Sequence, residues 1–107
     1  MYRWPDGSTY DGEWREDQIH GKGVYKWDDG RIYDGSWEFG LMHGEGVYSW
    51  PDGKRYEGSY KQGHRHGQGK LTRPSGNWYS GGWADGKEHG EGLLFFKERN
   101  ETSKVKF

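Results

Sequence analysis

The chain has no cysteine. Disulfides and thiolate metal sites are therefore excluded. Aliphatic side chains are scarce: hydrophobic residues make up 29% of the sequence, and mean hydropathy is −1.34. Taken alone, such values describe chains too polar to fold. No apolar run approaches the length of a membrane-spanning helix. The opening stretch MYRWPDGSTY has no apolar h-region, so no secretory signal is expected in it. GxSxG and P-loop motifs are missing, as is any nucleophile beside an evident base. Carboxylates such as Asp28, Asp29 and Asp52 sit in turn sequences, where aspartate serves backbone geometry. No set of catalytic roles converges, so neither an enzyme nor a cofactor is expected.

Net charge is also small, at −1. It supplies no general attraction to nucleic acid, which is not expected as a partner. The charge is unevenly spread. Residues 1–53 carry 5 Lys/Arg against 11 Asp/Glu, whereas residues 54–73 carry 6 against 1. Lys54, Arg55, Lys61, Arg65, Lys70 and Arg73 form that basic stretch. They are candidate contacts for acidic phospholipid, phosphate or an acidic partner. Strand alternation puts Arg73 and Lys70 on opposite faces, so the stretch does not read as a single patch.

What the chain does have is 20 glycines and 18% aromatic residues. Aromatic rings bury large areas, so a few can stabilise a thin fold. They recur with a 23-residue period. Tyr10, Tyr33, Tyr56 and Tyr79 open successive units, and Gly12, Gly35, Gly58 and Gly81 follow two residues later. Trp14, Trp37, Tyr60 and Trp83 come two after those. His-Gly recurs at His20, His43, His66 and His89, with a second glycine at Gly23, Gly46, Gly69 and Gly92. A turn signal precedes each tyrosine: WPDG, WDDG, WPDG and RPSG.

The local period is two, which predicts strands. In YDGEW the tyrosine, glycine and tryptophan share one face. In GKGVYKW, Gly21, Gly23, Tyr25 and Trp27 share a face, and Lys22, Val24 and Lys26 lie opposite. Each unit therefore reads as a β-hairpin. The PDG segments suit a tight type I turn closing into a G1 bulge. The segment from Trp37 to His43 reads as a longer link, with Gly40, Gly63 and Gly86 left-handed and Asp17 in that role in the first unit.

A glycine leaves a vacancy on a sheet face, and a ring from a neighbouring strand can lie across it. Stacked hairpins would then give an all-β, single-layer twisted antiparallel sheet, a 23-residue solenoid. About nine strands at ~4.8 Å spacing make roughly 43 Å of sheet. One half unit (1–9) and four units fill residues 1–96. Residues 97–107 leave the period, as a terminal cap or tail. The LLFF run at 93–96 should be covered by something.

The aromatic residues first of all hold the hairpins together. An open layer cannot hide both faces, so the expected partner-binding face is Tyr10, Trp14, Tyr25, Trp27, Tyr33, Trp37, Tyr48, Trp50, Tyr56, Tyr60, Tyr79 and Trp83, with Tyr25, Trp27, Tyr48 and Trp50 notably expected to do both jobs. The four histidines are a whole hairpin apart, roughly 9–10 Å, too far to share one zinc. They read as residues that finish turns and bond locally.

These anchors, Tyr-x-Gly-x-Trp, His-Gly-x-Gly and Asp-Gly at a 23-residue interval, resemble the MORN repeat (membrane occupation and recognition nexus). The resemblance covers residues 1–96. It implies an elongated array of antiparallel hairpins with a non-catalytic role in scaffolding, tethering and self-association. It further implies a cytoplasmic setting, cytoskeletal, ciliary or peripheral to a membrane. The third unit departs from the pattern, with Tyr60 for Trp and Lys70, Leu71 and Arg73 for Val, Tyr and Trp. The expected function is a protein-binding scaffold whose aromatic face holds an apolar or helical segment. The alternative is an acidic-phospholipid module acting through the third unit, and a third reading is a cage for a cationic group or sugar.

Overall fold

Alternating ring and glycine side chains cannot build a helix's continuous apolar stripe, and the chain forms none. The computed structural model describes residues 1–107. Ten strands follow one another: β1 (Tyr2–Arg3), β2 (Thr9–Arg15), β3 (Gln18–Lys26), β4 (Ile32–Glu38), β5 (Leu41–Ser49), β6 (Arg55–Lys61), β7 (His64–Thr72), β8 (Trp78–Ala84), β9 (Lys87–Phe96) and β10 (Glu101–Lys106). They make one antiparallel sheet in sequence order. Its longest dimension is 46 Å.

The tyrosines line up in one row across the strands. Tyr10 pairs with Tyr25, Tyr25 with Tyr33, Tyr33 with Tyr48, and Tyr48 with Tyr56. The glycines form a second row: Gly12, Gly23, Gly35, Gly46, Gly58, Gly69, Gly81 and Gly92. Each tyrosine ring lies on glycines of its own hairpin. A Cβ on Gly23 would overlap the Tyr10 ring, and one on Gly46 the Tyr33 ring. The tyrosine hydroxyl has a purpose too. Tyr10 donates to the Glu13 carbonyl at 2.9 Å, Tyr33 to Ser36 at 3.0 Å, Tyr56 to Ser59 at 2.9 Å and Tyr79 to Gly82 at 3.0 Å. Phenylalanine could fill the space but would leave those carbonyls unbonded.

The two kinds of connection are the reverse of the expected lengths. Phe39 and Gly40 alone join β4 to β5, with φ of 46° and 83°. Gln62–Gly63 and Asp85–Gly86 repeat this, and Glu16–Asp17 do so without glycine. Both central residues are left-handed, as in the type I′ turn whose twist suits a two-residue hairpin. The supposed long link is thus mostly strand. The PDG connections are the longer ones. Their type I turn and bulge are as expected: Gly7 N–H donates to the Trp4 carbonyl at 3.0 Å, and Trp4 N–H to Ser8 at 2.9 Å.

The His-Gly pair marks a bulge in every hairpin. Register shifts between Gly35 and Trp37, opposite Met42 and Gly46, and Gly44 there has φ of 86°. Gly21, Gly67 and Gly90 are left-handed at the matching places.

The tail forms β10, where the first strand of a further unit would lie. Val105 pairs with Gly92 as Gly81 pairs with Gly69. Phe107 exchanges backbone bonds with Gly90, at the place where Trp83 faces Gly67. Val105 has no second strand folded over it, so the glycine at this slot is dispensable.

Candidate functional site

The candidate site is the aromatic face, and its floor is an edge-to-face ladder of rings. Tyr10 meets Trp14 at 5.2 Å and 84° and Trp37 at 6.0 Å and 89°. Tyr33 meets Trp37 at 4.9 Å and Tyr60 at 5.3 Å. Tyr56 meets Tyr60 at 5.2 Å and Trp83 at 5.4 Å, and Tyr79 continues to Trp83 and Phe107. Perpendicular rings satisfy their quadrupoles, worth about 0.5–1.5 kcal/mol per pair beyond burial. The tyrosines lie within units, and Trp37, Tyr60 and Trp83 join one unit to the last. Trp37 Nε1–H donates to the Gly23 carbonyl at 3.2 Å, and Trp83 Nε1–H to Gly69 at 3.0 Å.

All of the floor rings are buried except at the two ends. Trp14 is 45% exposed, with only Tyr2 and Trp4 of the short β1 hairpin against it, whereas Trp37 is 7% exposed. Above the floor lies a second, half-buried row of Trp4, Tyr25, Trp27 and Trp50. Trp4 packs on Tyr25 at 5.2 Å, Tyr25 on Trp27 at 4.6 Å, Trp27 on Tyr48 at 5.3 Å and Tyr48 on Trp50 at 4.3 Å. Tyr48 is buried and belongs with the floor. No second layer covers this face. Two hollows open on it. One, of 520 Å³, lies among Tyr2, Trp4, Trp14 and Asp17. The other, of 240 Å³, lies among Met42, Trp50, Tyr60, His64 and Arg65.

Burial pushes the hydroxyls of Tyr33, Tyr56 and Tyr60 up from their ordinary value. Tyr56 reaches about 12 despite the opposing pull of the Arg65 cation. These phenols stay neutral, and those of Tyr33 and Tyr56 serve as hydrogen-bond donors.

The basic stretch divides. Arg65 lies over the Tyr56 and Trp83 rings, at 5.6 and 4.8 Å, and Lys54 lies over Trp50 at 4.6 Å. Arg73 follows Leu71 at period two, in the slot of Trp27 and Trp50. Arg55 and Lys70 are on the back face. Arg55 pairs with Glu57 at 3.1 Å, and Lys70 lies over Trp78 at 4.6 Å. Lys61 ends β6 beside the turn.

Two of the four repeat histidines bond to the next unit rather than within their own. His20 Nδ1 accepts from Phe39 N–H at 3.2 Å, and His43 Nδ1 from Gln62 N–H at 3.3 Å.

The repeat is thus a hairpin closed by tyrosine on glycine and joined to the next by tryptophan. Matches to the MORN repeat fall at residues 1–9, 10–30, 33–55, 56–78 and 79–98. The chain belongs to the MORN repeat family. MORN repeats are protein- or membrane-binding repeat modules. No curated protein matches the chain closely enough to add a relative.

Three features were missed in the sequence reading, two on the aromatic face and one behind it. Trp4 belongs to the exposed row, and Met42 lines the second hollow. Trp78 stacks on Phe95 at 5.3 Å and 15°, on the back face. The 23-residue period contained a signal for the first two, since Trp4 precedes Trp27, and Met42 follows Ile19, by 23 residues.

Proposed function

We propose that this MORN array is a scaffold that holds a partner protein on its aromatic face. One observation carries the reading: Trp27 and Trp50 lie half-buried on a face that no other part of the chain covers. Rings of this kind supply large contact area at little entropic cost and dominate binding surfaces. A scaffold or tether that grips an apolar or helical segment follows, in a cytoskeletal, ciliary or membrane-peripheral setting.

The test is selection from a displayed peptide library against the chain and against Trp27→Ala/Trp50→Ala. Binders should be recovered on the first and lost on the second, with the strand signature in circular dichroism unchanged. Binding that survives the double substitution removes the aromatic face as the site. The acidic-phospholipid alternative draws less support from the geometry. The unit-3 cations are split between two faces, and a flat membrane meets one at a time. Flotation with phosphatidylserine vesicles decides it. Lipid binding lost on neutralising Lys61, Arg65 and Arg73, yet kept in the tryptophan variant, would favour the alternative.

A further inference from the structure

The aromatic face is not the same along its length. Two rows of side chains run across the strands on it. One is Ile19, Met42 and Arg65, each facing the tryptophan or tyrosine that joins two units or ends the array. The other is Trp27, Trp50 and Arg73, at the same 23-residue interval. Both rows are apolar in the first two units and turn cationic together in the third; in the fourth they carry Glu88, opposite Trp83, and Phe96. Neither arginine has a carboxylate within ion-pair distance, whereas Arg31 and Arg55 each have one. Arg65 rests on the rings of Tyr56 and Trp83 and lines the 240 Å³ hollow beside Trp50. A cation over aromatic rings in a hollow, with no anion of its own, is complementary to a carboxylate arriving from outside.

The pitch of the array sets the shape of the arrival. One unit is two strands, so equivalent side chains recur roughly every 9.4–9.8 Å. Seven residues of an α-helix rise ~10.5 Å. A helix laid along the array therefore returns the same face to each successive unit once per heptad. The mismatch is roughly 1 Å per unit. Over three units it stays well within the reach of a side chain. An extended strand advances ~3.3 Å per residue and returns the same face every second residue, so three residues meet each unit. It would not select a seven-residue spacing.

We infer that the occupant of the aromatic face is an amphipathic helix of another protein, laid along the array at one heptad per unit. Its apolar residues lie over units 1 and 2, and a glutamate or aspartate one heptad on meets Arg65 in the hollow beside Trp50. This rests on the scaffold reading above and specifies its partner. The sequence it selects is apolar, apolar, acidic at seven-residue intervals, read in one of the two helix directions.

The experiment uses two displayed libraries against the whole chain. The first is a helical library with apolar residues at the heptad positions of one face and one position per heptad fully randomised. The second is a linear library in which prolines prevent helix formation. The helical library should yield binders with an acidic residue only in the heptad that lies over unit 3, seven residues beyond apolar ones. Arg65→Glu/Arg73→Glu should reverse that preference to lysine or arginine and weaken the original binders at least tenfold. Arg55→Glu, on the back face, should change neither. Helical binders without acidic bias, with bias at another spacing, or unaffected by the charge reversal overturn the inference. So do binders from the linear library alone that need Trp27 and Trp50, and that result leaves the scaffold reading standing. Failure of both libraries, with the fold intact, overturns the scaffold reading as well.

Discussion

The indole N–H of Trp37 donates to the carbonyl of Gly23 across the boundary between two repeat units. Trp83 makes the same bond to Gly69. Tyr60 occupies the matching slot at the middle boundary, and a phenol has no donor at that place on its ring. On the aromatic face the join between units 2 and 3 therefore lacks the indole bond and has ring packing there instead.

Replacing Trp37 with Phe should cost about 1–3 kcal/mol, since it strands a buried carbonyl and shrinks the ring. Tyr60→Trp should restore the bond to the Gly46 carbonyl and stabilise by about 1 kcal/mol. Urea midpoints at constant slope check both. Equal midpoints for wild type and Trp37→Phe would show that the indole bond contributes nothing.

Two glycines should fail for different reasons. A Cβ on Gly46 meets the Tyr33 ring, so Gly46→Ala should displace that ring and cost about 1–3 kcal/mol by overpacking. Gly53 has open space around it but a φ of 98°. Gly53→Ala should cost about 1–2 kcal/mol of backbone strain and leave the rings where they are. Near-ultraviolet circular dichroism separates the two: it should change for Gly46→Ala and not for Gly53→Ala.

Alkaline pH should unfold the array cooperatively. Burial raises Tyr56 to about 12, above the value near 10 for an unfolded chain. Tyr33 and Tyr60 shift in the same direction. The folded state thus holds protons that the unfolded state releases. Its stability is full below pH ~10 and declines as pH rises toward 12. Tyrosinate absorbance from these rings should appear together with loss of the near-ultraviolet signal. Tyrosinate forming while that signal persists would contradict the buried hydroxyls.

Phe107→Ala should act locally. Its ring stands edge-on to Tyr79 at 5.6 Å, and its backbone bonds to Gly90. Loss of the ring should cost about 1 kcal/mol and speed amide exchange at Gly90. Exchange in unit 1 should stay unchanged, because a repeat touches only its neighbours.

The parity of Tyr10, Gly12 and Trp14 was enough to place the rings on one face, since side chains alternate strictly in a strand. The left-handed glycines after the bulges were not legible, because a glycine in His-Gly looks like one more small residue until the register shift is seen. The turn at Phe39–Gly40 was misjudged for a related reason. Phe39 at positive φ has no letter that announces it. Strand β10 escaped because its stretch from Phe95 to Thr102 has one residue more than the matching stretch from Thr72 to Trp78. Ser103, Val105 and Phe107 then fall one place outside the period. The division of the cations was legible for Lys70 and Arg73. The seat of Arg65 over Tyr56 and Trp83 needed the fold, since it depends on rings from two units meeting there.

The register carries no offset from one unit to the next: Tyr25 faces Tyr33 just as Tyr48 faces Tyr56. Adding or removing 23 residues at such a seam would leave every neighbouring hydrogen bond its partner. Length can therefore change in whole steps of roughly 10 Å while the cross-section stays the same. The molecule is built like a graduated ruler, on which the place of a charged unit such as the third is a mark at a fixed distance.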